Sequence, residues 1–245
     1  MKKQRSGIIV QARMGSTRLP AKVMKEILGE PMLWRVIERL KAVASADVIV
    51  IATPQDPQSD PLVKLAQKAK VEVFRGSEED VLERYYQAAE KNKLDVVVRV
   101  TSDCPLIDPQ VVDACLRYFL GHPPVDYVSN TMQRTFPRGM DTEVFSFKAL
   151  EKAYQKALEP YEREHVTPYI AKHGKTLSYQ QKENQSVYRL TVDTAEDFEL
   201  IKKIFETLYP KDKNFTLADI IKFLKQNPSL VNINKHVQQK ALPQG

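Results

Sequence analysis

A chain of 245 residues, 42% hydrophobic and 28% charged, has the balance of a globular protein that buries a sizeable core, and this excludes disordered and fibrous classes. A net charge of +6 favours anionic partners without choosing among nucleic acid, membrane surfaces and phosphorylated small molecules. Cys104 and Cys115 form no Cys-x-x-Cys pair, the apolar stretch Gly7 to Val10 is too short for a signal peptide, and no run approaches the roughly 20 apolar residues of a membrane span, so a cytoplasmic protein with reduced thiols is expected.

In chain order, Gly7–Ala12 reads as a strand and Pro31–Ala44 as a helix, with Met32, Leu33, Val36, Ile37, Leu40 and Val43 on one face and Pro31 at its first position. Asp47–Ala52 is a strand, Pro61–Ala69 a helix, Val71–Phe74 a strand, and Ser77–Lys91 a helix capped by Ser77, with Asp80 three residues on. Asp95–Val100 is the fourth strand. A helix from Pro109 capped by Asp108 follows, then strands at Asp126–Ser129 and Asp141–Phe145 and helices near Lys148–Leu158 and Glu162–His173. Strands near Thr176–Tyr179 and Ser186–Val192 and helices from Thr194 and Thr216 complete the pattern. One domain over 1–245 is expected, with the polar excursion 120–145 as a candidate small lobe and 228–245 as a tail lying on the surface or partly disordered. Lysines of the last third fall on the polar faces of amphipathic helices, as a solvated surface requires.

Strands separated by helices of about 10–15 residues imply parallel βαβ units with helices on both faces, and the closely spaced later strands make the sheet mixed. In open sheets of this kind ligands bind beyond the carboxyl ends of strands. Three segments lie there: QARMGSTRLPAK, TSDCPLID and TVDTAEDF.

The first segment carries Arg13, Gly15, Ser16, Thr17, Arg18 and Lys22. Cations clustered on a loop at a strand end suit a polyanion, because charge-assisted hydrogen bonds to phosphate are about twice as strong as neutral ones, and a glycine lets backbone N–H groups approach. The Gly-Lys-Ser/Thr ending of a Walker loop is absent and only one glycine is present, which removes the P-loop ATPase and dehydrogenase readings. Any one of these cations alone would read as part of a solvated turn.

Asp103 and Asp193 follow the fourth and last strands, at the same sheet edge as the loop. Together they suit one Mg²⁺, which takes one or two carboxylates plus substrate phosphates. Taken singly, Asp103 reads equally as a turn residue before Pro105, and Asp193 as a helix cap. Asp108 and Asp197 read as helix-capping residues.

The run IIVQARMGSTRLPAKVMKEILGEPMLWRVIERL resembles the amino-terminal signature of the cytidylyltransferases that make CMP-activated acidic sugars. VFRGSEEDVLERYYQAA, RVTSDCPLID, FPRGMDTEVF, EREHVTPYI and RLTVDTAEDFEL are similar, in the same order, to blocks of the spore coat polysaccharide biosynthesis protein F branch, so the resemblance reaches to about Phe223. It implies a Rossmann-like three-layer α/β/α fold of the nucleotide-diphosphosugar transferase type with a mixed, mostly parallel sheet, CTP as donor and Mg²⁺ as cofactor. By the same resemblance Arg13 and Lys22 hold the triphosphate beside Gln11, Ala12, Gly15, Ser16 and Arg18, Arg75 and Ser77 lie near the base, and Asp103 and Asp193 serve the metal.

Arg138, Asp141 and Glu143, with Arg163 and His165, form two polar clusters suited to an acidic, hydroxylated acceptor, since arginine clamps carboxylates and acids take sugar hydroxyls. His165 is the histidine best placed to accept a proton. The implied reaction is attack of an acceptor oxygen on the α-phosphorus with loss of pyrophosphate, in polysaccharide biosynthesis, with no nucleic-acid or membrane partner and dimers common among relatives. Two rivals remain. A glycosyltransferase of the same fold would need a closely spaced Asp-x-Asp pair after the fourth strand, which is missing, and a non-catalytic nucleotide- or RNA-binding module leaves Asp103 and Asp193 unexplained, because carboxylates repel phosphates unless a cation intervenes.

Overall fold

Valine- and isoleucine-rich runs become neighbouring parallel strands where helices cover both sheet faces, since only then are both sets of side chains buried. The computed structural model describes residues 3–239. Strand β1 (Ser6–Gln11) leads through a small hairpin, β2 (Glu26–Ile27) and β3 (Glu30–Pro31), into helix α1 (Met32–Leu40). Then come β4 (Val48–Pro54), α2 (Asp60–Lys68), β5 (Glu72–Gly76), α3 (Val81–Lys91), β6 (Val96–Thr101) and α4 (Pro109–Leu120). The chain continues with β7 (Tyr127–Ser129), β8 (Glu143–Ser146), α5 (Phe147–Lys156), α6 (Pro160–His165), α7 (Pro168–His173), β9 (Thr176–Ser178), α8 (Ala195–Leu208), α9 (Leu217–Gln226) and α10 (Pro228–Val231).

The main sheet has seven strands in the order β5-β4-β1-β6-β8-β7-β9. β5, β4, β1 and β6 run parallel, β8 is antiparallel to both of its neighbours, and β7 pairs parallel with β9. The expected mixed, mostly parallel α/β/α sheet is therefore present. The stretch 120–145 supplies β7 and the start of β8, which pair with each other inside the main sheet, and the residues between them form turns and loop.

Alternation along the strands sorts the core into two layers. Ile8 and Val10 face α1, α2, α4, α8 and α9, while Ile9, Val50 and Val97 face α3, α5 and α7. Each fully buried Ile or Leu contributes about 1.5–3 kcal/mol, so these layers fix the frame and the polar residues are carried at its edge.

Several local expectations are corrected. Helix α1 begins at Met32 and ends at Leu40, because Pro31 is spent in the β2–β3 hairpin and Leu28 and Gly29, with φ 51° and 73°, make its turn. Asp80 rather than Ser77 caps α3, its Oδ1 accepting from Glu83 N at 2.8 Å, while Ser77 Oγ accepts from Asp80 N one turn earlier. The helix expected over Glu162–His173 is broken at Val166, whose φ of 72° separates α6 from α7. Ser186–Val192 forms no strand: it makes an isolated bridge, Arg138–Arg189, outside the strands, with Leu190 N on Arg138 O at 2.7 Å, and Val192 N donates to Asp103 O at 2.8 Å.

The caps read at Asp108 and Asp197 are in place, Asp197 closing a capping box with Thr194, and the structure adds a second box of the same kind at Thr216 and Asp219. Asp108 does more than cap α4: its Oδ2 also accepts from Leu217 N at 2.5 Å and so joins α4 to the start of α9. Of the tail, residues 228–239 include α10 and a buried Asn234, and 240–245 lie outside the described residues.

From β1 the chain moves outward to β4 and β5, then returns across β1 to β6. The reversal leaves a crevice between the carboxyl ends of β1 and β6, where ligands of such sheets bind.

Candidate active site

A cavity of about 760 Å³ opens at that crevice. One wall is the loop after β1, with Gln11, Ala12, Arg13, Gly15, Ser16, Thr17, Arg18 and Lys22, and another is Thr101–Asp103 after β6 together with Asp193. Glu78, Glu79 and Arg84 from the α3 side and Glu164 and His165 from α6 close the remainder. Ala21 sits in the left-handed region at φ 51°, a conformation that costs a β-carbon residue about 1–2 kcal/mol. It starts the single helical turn Lys22–Met24, whose first residue points inward. A Cβ at Gly15 would meet no protein atom within 4 Å, so the fold itself does not call for glycine there.

Lys22 stands between the two carboxylates. Its Nζ donates to Val192 O at 2.6 Å and lies 3.1 Å from Asp193 Oδ1 and 3.4 Å from Asp103 Oδ2. Arg18 reaches the same Asp193 Oδ1 at 3.0 Å, and Thr101 Oγ1 donates to Asp103 Oδ1 at 2.5 Å. Burial alone would raise the Asp193 pKa, but Lys22, Arg18 and Arg189 outweigh it and hold the carboxyl below the usual range, so the group is ionised. Loop, strand end and last segment thus share one electrostatic centre.

A metal fits this donor set. Two carboxylates converge on a single cation position, and all the groups around it are oxygens, the ligands hard cations prefer. No cluster of three or more His, Cys, Asp or Glu that could hold a metal occurs among the described residues, so substrate phosphates would have to complete the shell.

His165 is half-buried on the cavity wall, and burial lowers its pKa from 6.5, so the ring is neutral at neutral pH. The other expected site residues are not on this wall. Arg75 pairs with Asp60 at 2.8 Å and donates to Asp56 O at 2.6 Å, and Ser77 serves the turn before α3. Arg163 is held by Asp80 and by the carbonyls of Tyr154 and Ala157. Asp141 receives a two-bond clamp from Arg134 at 2.6 and 2.9 Å. Glu143 is buried under Arg99, Tyr127 and Thr167. Arg138 lines a separate cavity of about 430 Å³ with Tyr188, Arg189, Lys225 and Asn234.

Arg84 joins the site although sequence reasoning passed over it. It is 2% exposed, its Nη1 donates to Ser77 O at 2.5 Å, and its Nε is buried without a hydrogen-bond partner among the described residues. Gln11 Oε1 is likewise buried and unpartnered. The signal for Arg84 lay in the helical period: it is three residues after Val81 and four before Ala88, both on the buried face of α3.

A basic loop facing paired carboxylates at the switch point of a doubly wound sheet is the arrangement of the nucleotidyltransferase class. Within that class the chain belongs to the cytidylyltransferase family, whose profile matches residues 7–235. It is 34% identical over 231 residues to the spore coat polysaccharide biosynthesis protein SpsF of Bacillus subtilis, covering 90% of this chain and 94% of that one. A solved cytidylyltransferase from Leptospira borgpetersenii superposes with a TM-score of 0.90 at 37% identity, covering 98% and 100% of the two chains. CMP:2-keto-3-deoxy-manno-octonic acid synthetase, solved in complex with CTP, shares the fold at a TM-score of 0.65 and 20% identity over 82% of this chain and 98% of its own. No helix among the described residues is long and apolar enough to cross a membrane.

Proposed function

We propose that the protein transfers CMP from CTP to an acidic sugar, releasing pyrophosphate, and that the product feeds surface or spore-coat polysaccharide synthesis. The observation that carries this reading is the Lys22 ammonium held between Asp103 and Asp193, with Arg18 on Asp193, at the open end of β1 and β6. Asp103 and Asp193 would hold Mg²⁺, which when bound neutralises phosphate charge. The family and the names of the SpsF and CMP-sugar synthetase relatives support CTP and a sugar acid.

The acceptor hydroxyl oxygen attacks the α-phosphorus, a new P–O bond forms, and the bond to the β-phosphate oxygen breaks with loss of pyrophosphate. No enzymic nucleophile is needed. Arg13, Arg18 and Lys22 take the charge that grows on the leaving group, and fixed donors aimed at developing charge are the largest single source of rate in such reactions. His165, neutral and half-buried, accepts the hydroxyl proton. Gln11 and Arg84 line the cavity that would take the nucleotide, and Gln11 Oε1 and Arg84 Nε are an acceptor and a donor unmet among the described residues, which a rotation of either side chain would offer to it. We place the reaction in the cytoplasm, where nucleoside triphosphates are available, and expect a homodimer.

The test is to incubate the protein with each nucleoside triphosphate, Mg²⁺ and a panel of acidic sugars and to measure pyrophosphate. Release that depends on CTP and on one sugar acid supports the reading, and release with no triphosphate of the four overturns it.

A further inference from the structure

Asp193 is gripped from behind as well as from the cavity. Arg189 Nη2 donates to Asp193 Oδ2 at 2.8 Å, and the same guanidinium clasps Asp197 through Nε at 2.9 Å and Nη2 at 3.0 Å. Asp197 is fully buried, and its Oδ2 accepts from the backbone of Asp193 at 2.9 Å and of Thr194 at 3.2 Å. Asn234, beyond α10, donates Nδ2 to Asp197 Oδ1 at 2.8 Å and to Arg189 O at 3.0 Å, and Gln239 Oε1 accepts from Arg189 Nη1 at 2.9 Å.

Helix capping does not require this assembly. The corresponding box at Thr216 and Asp219 caps α9 at an exposed position, with no arginine on its aspartate. At Asp197 a guanidinium with 9% side-chain exposure and a buried asparagine have been added, and ordering and desolvating those groups carries a cost. The return lies at Asp193. With Oδ2 committed to Arg189 and the backbone N–H to Asp197, only Oδ1 is left for Arg18 and Lys22 in the cavity.

We infer that Arg189 and Asn234 are positioning residues: the segment after α9 braces Asp193 through Arg189 and Asp197, so that one carboxylate oxygen faces the cation of the nucleotide site in a fixed direction. This rests on the reading of that site proposed above. Groups that orient a carboxylate ligand change metal affinity or activity by about 10–100-fold when removed.

The test uses the full chain carrying Asn234→Ala, with Arg189→Lys as a second variant that keeps the charge but cannot bridge two carboxylates. Amide hydrogen exchange is measured without nucleotide, and CTP binding is measured by calorimetry across Mg²⁺ concentrations. In Asn234→Ala the Asp193 and Thr194 amides should exchange about tenfold faster while those inside α8 hold, because only the local opening equilibrium changes. The Mg²⁺ concentration for half-maximal CTP binding should rise at least about tenfold, with kcat at saturating Mg²⁺ changed less. Arg189→Lys should move both in the same direction and further; if it does not unfold cooperatively, Asn234→Ala decides alone. Unchanged exchange in Asn234→Ala overturns the brace, and so does faster exchange with an unchanged Mg²⁺ requirement. Should the unsubstituted protein bind no CTP, the nucleotidyl-transfer reading falls. The brace is then judged on exchange alone: faster exchange of the Asp193 and Thr194 amides in Asn234→Ala supports it, and unchanged exchange overturns it.

Discussion

Arg99 and Glu143 occupy paired positions on β6 and β8 and form a largely buried ion pair across the two strands. Glu143 also accepts from Tyr127 and from Thr167 Oγ1, at 2.6 Å for the latter, so both of its oxygens are engaged. Removing one partner of a buried pair strands the other charge, and Glu143→Gln is expected to destabilise the protein by about 3–5 kcal/mol in urea unfolding. Burial pushes this carboxyl up, but Arg99 and the hydroxyl donors outweigh it and leave its pKa below the ordinary 4.5. A depressed carboxyl contributes its full stability above 4.5 and loses it as pH falls from there to the folded value. The Gln variant should therefore show a flatter acid limb in the same measurement.

Lys22→Ala should lower turnover by on the order of a hundredfold, the usual loss for one preorganised charge partner. Its Nζ is 3.1 Å from Asp193 and 3.4 Å from Asp103, so the variant also leaves two carboxylates facing the same space. Pyrophosphate release under saturating CTP is the measurement, and turnover near that of the parent would count against a role for Lys22 in the reaction.

The pH profile follows from His165. Burial lowers its pKa from 6.5, so the basic form predominates at and above 6.5 and is lost only as pH falls through the lowered pKa. Turnover should be level near neutrality and decline on the acid side. His165→Gln should remove that limb and lower the rate by about 10²–10⁴-fold, the range for a positioned general base. A variant that keeps the parent profile would exclude His165 as the proton acceptor.

Arg84→Met keeps the stem and removes the head whose Nε is buried without a partner. Loss of a hydrogen bond to a charged group is worth about 1.5–3 kcal/mol, so CTP should bind about tenfold or more weakly by calorimetry. The unfolding midpoint should hold or rise, because an unmet buried donor is a cost to the free protein. A parallel loss of stability and affinity would instead mark Arg84 as part of the frame.

The frame and the cation loop were legible because each is a local pattern: apolar runs with the strand or helix period, and cations crowded between the first strand and Lys22. Pairings between distant segments were not. Arg75 sits on the edge strand β5, where it pairs with Asp60 at the start of α2, and no spacing in the sequence announces that partner. Glu143 reads as a polar residue beside other polar residues until β8 is placed against β6, which sets it opposite Arg99. Ser186–Val192 has the composition of a strand but lies where Arg138–Met140, with Gly139 at φ 100°, leaves room for a single bridge. Gly139 is itself constrained, since a Cβ there would stand 2.4 Å from Leu190 O.

The place of Lys22 also bears on what the site refuses. The cavity neutralises itself: its deepest ammonium is already matched by two carboxylates and a carbonyl. A lone anion that draws Lys22 away exposes Asp103 and Asp193 to each other and to its own charge, so stray phosphate or sulfate gains little. Only an anion that arrives with a cation can trade partners all round, leaving Lys22 on the anion and the carboxylates on the newcomer. Nucleotide and metal would then enter together, and each would bind poorly without the other.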